Sequence, residues 1–153
     1  MKNLNLLLVE EVQKFVKAKV PYQHRGTTSF GCDCTGMVIG ALRCLGLFKT
    51  YTLRLYKEDW NLHAGADDHI KDELKKVAYE IPKQNMIPGD ILLFVFARRP
   101  AHVGVFIDKG VFAHCYKDEG KCCYGIINNS PWTKRLIDVF RLDEKKVMRI
   151  SNG

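Results

Sequence analysis

The first half of the chain carries apolar residues at helical spacing. Over residues 6–18 they recur every three or four positions, which predicts a first helix that ends at the first proline of the chain. Residues 34–45 hold few polar positions and precede Gly46, so they predict a buried second helix with a glycine cap. Residues 67–79 are amphipathic and begin with two aspartates, which favours a third helix. The stretch 47–66 has no clear period and is expected to be irregular.

The second half of the chain has the pattern of β-strands. Continuous or alternating apolar runs predict strands over residues 91–96, 102–107, 111–116, 124–128 and 136–142. The second and third of these are joined by Asp108-Lys109-Gly110, a short hairpin loop with glycine in last place. Helices followed by antiparallel strands indicate the α+β class. We see no linker or repeat, so we predict a single domain over residues 1–153.

Charge and hydropathy exclude several classes of protein. The chain has 24 Lys and Arg against 17 Asp and Glu, a net charge of +7. These basic residues are spread along the chain and accompany no nucleic-acid motif, so we expect no nucleic-acid partner. No apolar run approaches the about 20 residues of a membrane span. The N-terminal run Leu6–Val9 is shorter than the about 7–15 residues of a secretory signal core, so we expect synthesis in a reducing cytoplasm with six free cysteines.

Cys34 stands at the predicted start of the buried second helix. A helix N-terminus carries partial positive charge and free backbone N–H groups, which lower the pKa of a thiol and can bind an oxyanion. A buried cysteine is also often a small apolar side chain with no chemical role. Position alone therefore leaves a nucleophile and a core residue as alternatives.

Two histidines on the predicted hairpin add a candidate base. If Ile107 pairs with Val111, then His102 and His114 lie on one face of the hairpin as diagonal neighbours. One histidine can then accept the thiol proton of Cys34 while the other orients its imidazole. A single strand histidine is usually a core residue, but two on one face together with a cysteine at a helix start indicate nucleophilic catalysis.

Five short motifs stand in order within residues 10–142. They are Pro21-Tyr22-Gln23-His24-Arg25-Gly26, Asp33-Cys34-Thr35-Gly36, Pro88-Gly89-Asp90-Ile91, Ala101-His102-Val103-Gly104-Val105-Phe106 and Val111-Phe112-Ala113-His114. As an ordered set they resemble the NlpC-type cell-wall cysteine peptidases, which belong to the papain-like superfamily. Three further features resemble the subgroup encoded in phage-tail and gene-transfer-agent gene clusters: Gly31-Cys32-Asp33-Cys34, the Tyr-x-His after Pro21, and Trp132.

This resemblance implies a papain-like α+β fold, with the catalytic cysteine at a helix start packed on a central antiparallel sheet. It implies Cys34 as nucleophile, His102 as base and His114 as the residue that orients the base. It also places Tyr22 and Asp33 as substrate or oxyanion contacts. It implies no cofactor and no metal, and its reaction is hydrolysis of peptidoglycan stem peptides by a cysteine endopeptidase.

The expected partners are peptidoglycan stem peptides and phage-like tail proteins, with a virion or phage-like particle delivering the enzyme to the cell wall. Two other functions stay open: a papain-like amidase or acyltransferase on another amide, since water or an amine can resolve an acyl-enzyme, and a non-catalytic tail component. A zinc site is disfavoured, because C-x-C and C-C are not the spacings of structural zinc sites. Apart from Cys34 and its motif neighbour Cys32, we expect the cysteines to be bystanders.

Overall fold

The computed structural model describes residues 3–49, 69–96 and 99–152. Its helices are α1 (Leu4–Lys17), α2 (Cys34–Cys44), α3 (His69–Lys75), α4 (Trp132–Arg135) and α5 (Glu144–Asn152). Its strands are β1 (Thr27–Thr28), β2 (Gly31–Cys32), β3 (Ala78–Ile81), β4 (Ile91–Phe96), β5 (Arg99–Asp108), β6 (Val111–Tyr116), β7 (Lys121–Ile126) and β8 (Leu136–Leu142). Six strands form one antiparallel sheet in the order β3-β8-β4-β5-β6-β7, and β1 pairs with β2. Helices packed on an antiparallel sheet confirm the α+β prediction.

The two faces of the sheet have different partners. On one face, α1 and α2 pack against each other and against the strands, because both helices bury apolar stripes; the stripe of α1 includes Leu8, Val12 and Phe15. The other face carries a second cluster, composed of Leu92, Phe94, Phe112, Trp132, Leu136 and Val139. Successive residues of β4 thus alternate between the two clusters, as the period of a strand requires. Residues 91–94 of this strand are therefore buried on both faces of the sheet.

Both N-terminal helices begin at a side-chain cap. Asn3 Oδ1 accepts from the N–H of Leu6 at 3.0 Å, which starts α1 two positions before the predicted bound. Asp33 Oδ1 accepts from the N–H of Gly36 at 2.8 Å, which starts α2 at Cys34, as predicted. The predicted glycine cap is also present, since Gly46 has a φ of +83°.

The predicted third helix ends too late. α3 stops at Lys75, and residues 78–81 form strand β3, in which Ala78 pairs with Leu142 of β8. Over so short a stretch, the order of charged and apolar residues fits both the helical and the strand period. The segment forms a strand because it pairs with the edge of β8. Residues 67 and 68, and most of the predicted irregular stretch 47–66, lie outside the described residues.

The predicted hairpin register is correct in the body of the hairpin and wrong at its tip. Val105 pairs with Ala113, as the prediction required, but Asp108 rather than Ile107 pairs with Val111. Ile107 forms a bulge, and the loop shortens to Lys109-Gly110, whose φ angles of 49° and 79° suit a two-residue hairpin turn. Because the bulge lies beyond Val105, the face on which the two histidines lie is unchanged.

Strand β7 begins earlier than predicted. It covers Lys121–Ile126 rather than 124–128, because Tyr116 pairs with Lys121 and Cys115 with Cys122 across the β6–β7 hairpin. The fifth predicted strand, 136–142, matches β8.

Candidate active site

The nucleophile candidate Cys34 is the first residue of α2 and keeps part of its surface exposed. The segment before it is held by Asp33, whose Oδ2 accepts from the N–H of Arg25 at 2.8 Å and whose Oδ1 also accepts from Thr35 Oγ1 at 3.2 Å. A side chain at Gly36 would collide with the carbonyl oxygen of Gly26. The Asp-Cys-Thr-Gly motif is therefore a helix start pressed against the loop that carries the Pro-Tyr motif.

The carboxylate of Asp33 is buried and hydrogen-bonded within the chain through both oxygens. Its observed contacts cap α2 and hold the backbone of Arg25. The contact with substrate that the resemblance implies for Asp33 stays a prediction.

The thiol of Cys34 does not have the low pKa expected from its position at a helix start. Burial, followed by the negative charge of Asp33, raises the pKa of Cys34 to about 12. The backbone N–H groups of Val103, Thr35 and Cys34 itself act in the opposite direction, but they are outweighed. The sequence-based expectation of a lowered pKa is therefore wrong for the substrate-free site, in which the cysteine is a thiol.

His102 and His114 face each other as predicted. Nε2 of His102 and Nδ1 of His114 lie 2.8 Å apart, and both side chains are buried, at 6% and 2% exposed. Since this contact occupies Nε2 of His102, its Nδ1 is the nitrogen left for a thiol proton. Cys34 begins α2, which packs against β5, and the backbone N–H of Val103, the residue after His102, acts to lower the pKa of its thiol.

Both histidines are neutral at neutral pH. Burial, the neighbouring His114 and the positive charge of Arg135 hold the pKa of His102 well below its usual range, and burial lowers the pKa of His114 to about 4. For Nδ1 of His102 to accept a proton, Nε2 must carry one and donate it to His114. A role for His102 as proton acceptor at Nδ1 therefore requires its Nε2–H tautomer.

Aromatic rings enclose His102. Trp132 stacks on its imidazole, with ring centroids 5.6 Å apart and an interplanar angle of 27°, and Phe94, Phe96 and Tyr116 lie 5.5 to 5.8 Å away. These rings keep water from the imidazole and account for its lowered pKa. Sequence reasoning noted Trp132 only as a motif feature and missed the other three residues.

Next to this enclosure, the guanidinium carbon of Arg135 lies 4.2 Å above the centre of the Phe96 ring. Arg135 is one helical turn after Trp132 in α4, so one short helix supplies both the stacking ring and the nearby cation. Sequence reasoning missed Arg135 because nothing local connects it with His102. Its charge is one cause of the low pKa of His102.

Tyr22 is half-buried and packs against the same core cluster as Cys34, and its contact with substrate or oxyanion stays a prediction. Its backbone is fixed by a bridge to Cys32 and by an N–H that donates to the carbonyl of Gly120 at 2.8 Å. Burial, followed by the negative charge of Asp33, raises the pKa of Tyr22 to about 12. The phenol therefore stays protonated at neutral pH and can donate a hydrogen bond.

Strand β4, whose Phe94 pairs with His102, has one bulge in its pairing with β5 and another in its pairing with β8. The register of β4 shifts against β5 after the Phe94–His102 pair, and against β8 just before Phe94. Bulges re-aim side chains and are common beside active sites. Here they lie where Phe94 meets the imidazole.

The sequence profile of the NlpC/P60 family matches residues 19–141, a segment that contains Tyr22, Cys34, His102 and His114. The chain belongs to the NlpC/P60 family.

Two curated relatives show how far the similarity of this NlpC/P60 chain extends. It is 25% identical over 123 residues to the murein DD-endopeptidase MepS/murein LD-carboxypeptidase of Escherichia coli, covering 80% of this chain and 56% of that protein. It is 25% identical over 140 residues to the gamma-DL-glutamyl hydrolase of Bacillus subtilis, covering 89% of this chain and 29% of that protein. The chain thus spans about half or less of the length of these relatives.

Solved NlpC/P60 structures have the same fold. An NlpC/P60 family protein from Bacillus cereus superposes with a TM-score of 0.68 at 17% identity, covering 93% of this chain and 41% of that one. The NlpC/p60 domain of the peptidoglycan hydrolase SagA superposes with a TM-score of 0.65 at 14% identity, covering 92% of this chain and 100% of that domain. These matches confirm the predicted papain-like arrangement of helices on an antiparallel sheet. Among the helices that the structure describes, none has the length and apolarity needed to cross a membrane.

Proposed function

We propose that this NlpC/P60 chain is a cysteine peptidase that hydrolyses amide bonds in the stem peptides of peptidoglycan, with Cys34, His102 and His114 as its triad. The observation that carries the proposal is the 2.8 Å contact between His102 Nε2 and His114 Nδ1, beside the helix that begins at Cys34 and packs against the strand of His102. The E. coli relative is a murein endopeptidase and SagA is a peptidoglycan hydrolase, and both similarities support this substrate class.

The reaction begins from a neutral pair, because the pKa of Cys34 is raised and that of His102 is lowered. As the thiol sulfur attacks the scissile carbonyl carbon, its proton moves to Nδ1 of His102. The imidazolium that forms is stabilised through Nε2–H by Nδ1 of His114. Proton transfer is therefore coupled to attack, and no resting ion pair is required.

The tetrahedral intermediate collapses by breaking the carbon–nitrogen bond. Nδ1–H of His102 protonates the departing amine, and an acyl thioester remains on Cys34. A water molecule then gives a proton to Nδ1 of His102 as its oxygen attacks the thioester carbon. The carbon–sulfur bond breaks and His102 returns the proton to the sulfur, which releases the carboxylic acid and the free thiol. The N–H of Cys34 at the start of α2 and the phenol of Tyr22 are the donors proposed for the oxyanion.

The proposed bond class is a γ-glutamyl amide. The similarity to the B. subtilis gamma-DL-glutamyl hydrolase supports it, since 89% of this chain takes part in that match. A pair of synthetic substrates tests it: a stem peptide cut after γ-D-glutamate, and a D-alanyl cross-link of the kind that a DD-endopeptidase opens. Cleavage of the D-alanyl cross-link alone would show that the protein acts on that bond and not on the γ-glutamyl amide.

The primary test is release of soluble peptides from purified peptidoglycan. Wild-type protein and Cys44→Ser, which changes an exposed thiol, are expected to release peptides, and Cys34→Ala is expected to release none. Equal release by wild type and Cys34→Ala would overturn the proposal. Added amine nucleophiles test the acyltransferase alternative, since a transferase would form amide products in place of free acids.

Association with a phage tail or gene-transfer agent, and delivery to the wall by such a particle, are proposals that rest on sequence motifs. The features behind them are the Gly31-Cys32-Asp33-Cys34 run, the Tyr-x-His after Pro21 and Trp132. Purification of particles from the producing cell, followed by mass spectrometry of their proteins, tests both. Absence of the chain from such particles would contradict them.

A further inference from the structure

Three cysteines that the proposed reaction does not use meet in the core. Cys32 comes from β2, Cys115 from β6 and Cys122 from β7, and all three are at most 1% exposed. Their Sγ atoms lie within 4.8 Å of one another, and those of Cys32 and Cys122 are 3.4 Å apart. We call this group the three-thiol cluster. It was not foreseen from sequence, because its members are up to 90 residues apart along the chain.

The backbone around the three-thiol cluster is held by hydrogen bonds. Cys115 and Cys122 are paired across the β6–β7 hairpin, and the N–H of Cys122 donates to the carbonyl of Val20 at 2.8 Å. The N–H of Cys32 donates to the carbonyl of Pro21 at 3.1 Å, and the Cys115 thiol donates to the carbonyl of Cys32 at the same distance. The hydrogen-bonded backbone therefore holds the three sulfurs close together before any ion binds, which favours a metal site.

The chemistry of the donors selects the ion. No fourth His, Cys, Asp or Glu of the described residues joins the group. Structural zinc takes four ligands, whereas soft thiolate donors also suit Cu(I). A trigonal ion with bonds to sulfur of about 2.3 Å, the length in zinc thiolates, holds its sulfurs about 4 Å apart. That spacing is longer than the 3.4 Å between the sulfurs of Cys32 and Cys122 and within the 4.8 Å that contains all three sulfurs.

We propose that Cys32, Cys115 and Cys122 form a buried three-thiolate site for a soft, thiophilic monovalent ion, Cu(I). On binding, three S–H bonds break, their protons pass to the solvent, and three sulfur–copper bonds form. Copper enters and remains as Cu(I), so the step needs no oxidant or reductant. The proposal is independent of peptidoglycan cleavage, and its test does not depend on activity.

The site has a consequence for the catalytic centre. Cys32 directly precedes Asp33 and Cys34, and Cys115 directly follows His114. An ion held by all three sulfurs would tie β2 to the β6–β7 hairpin, and so tie the nucleophile segment to the strand of the orienting histidine. Binding to the folded state alone raises stability, so the loaded protein is expected to melt at a higher temperature than the free protein.

The experiment uses a background that keeps only the cluster thiols: Cys34→Ala, Cys44→Ser and Cys123→Ser. The folded protein is incubated overnight with Cu(I) under anaerobic conditions, with bicinchoninate as competing chelator, and is then desalted. The expected result is a single copper ion per chain, an ultraviolet sulfur-to-copper charge-transfer band, three sulfur neighbours in X-ray absorption, and a raised melting temperature.

Two further variants in the same background remove one ligand each: Cys122→Ser and Cys115→Ala. Loss of a ligand is expected to weaken copper binding by more than the about 10–100-fold that loss of a second-shell partner costs. Circular dichroism identifies a variant that does not fold, in which case the other variant decides. The proposal is overturned if the folded background protein retains no copper, if a folded ligand variant retains as much, or if the intact mass shows loss of two hydrogens to a disulfide.

Discussion

His102 Nε2 and His114 Nδ1 lie 2.8 Å apart, within hydrogen-bond distance, and both side chains are buried. In the proposed mechanism, Nδ1 of His102 is the base, and the hydrogen bond that His114 accepts strengthens when His102 becomes charged. An imidazole buried among aromatic rings is poorly solvated, so the protonated form of His102 is stabilised by its hydrogen bond to His114.

Replacement of His114 is expected to lower kcat with little change in KM. His114→Ala removes the acceptor and should reduce kcat by about 10²-fold, the lower end of what acid–base groups contribute. His114→Asn restores an acceptor oxygen near the position of Nδ1 and should recover much of the loss. Cys34→Ala should leave no activity. An unchanged rate in His114→Ala, with the fold intact by circular dichroism, would assign the orienting role to another residue.

The pH profile of kcat/KM should keep its acid limb well below pH 6.5. The folded pKa of His102 is lowered, so the imidazole stays unprotonated and active as pH falls through 6.5, and activity disappears only at the lower folded pKa. Arg135→Gln removes a positive charge that disfavours the imidazolium, so the acid limb should move to higher pH. Lys134→Gln, on an exposed neighbouring residue, is the matched control. Coincident limbs for Arg135→Gln and wild type would contradict this electrostatic assignment.

Alkylation of Cys34 by iodoacetamide should accelerate with pH and show no plateau near pH 6. The pKa of Cys34, raised to about 12 by burial and Asp33, keeps the sulfur protonated over the neutral range. His102→Ala removes the acceptor of its proton and should slow labelling at pH 7, whereas the exposed Cys44 should label at an unchanged rate. Peptide mass spectrometry over a pH series measures both thiols. A plateau already present at pH 6 would show a preformed thiolate.

Asp33→Ala should destabilise the protein more than Asp33→Asn. The alanine variant loses the cap of α2 and leaves the N–H groups of Arg25 and Gly36 without their acceptor. A cap is worth about 0.5–2 kcal/mol and an unsatisfied buried donor about 1–3 kcal/mol, so the expected loss in unfolding free energy is roughly 2–4 kcal/mol. Asn keeps one acceptor oxygen and should lose about half as much. Urea unfolding gives both values.

The asparagine variant also tests the charge of Asp33. Because that charge raises the pKa of Cys34, Asp33→Asn should lower it and speed alkylation of Cys34 at neutral pH. Equal stability of the alanine variant and wild type would show that the α2 cap is not needed.

Features that depend on residues close together in the chain were predictable from the amino-acid pattern. The start of α2 at Cys34 was predictable because its cap, Asp33 to Gly36, spans one helical turn. The shared face of His102 and His114 was predictable because side chains alternate with period two along paired strands. The length of the loop at the tip of that hairpin was not predictable, because the bulge at Ile107 shortens the loop without changing the alternation of apolar and polar residues.

The surroundings of these groups depend on the packing of segments that are distant in the chain. The pKa of Cys34 depends on how much protein covers it, and burial outweighed the helix start that sequence reasoning relied on. Trp132 and Arg135 reach His102 from a helix about 30 residues later in the chain, and Cys32 meets Cys115 and Cys122 across 83 and 90 residues. Contacts between such distant segments leave no local period in the sequence, because packing of the whole domain brings them together.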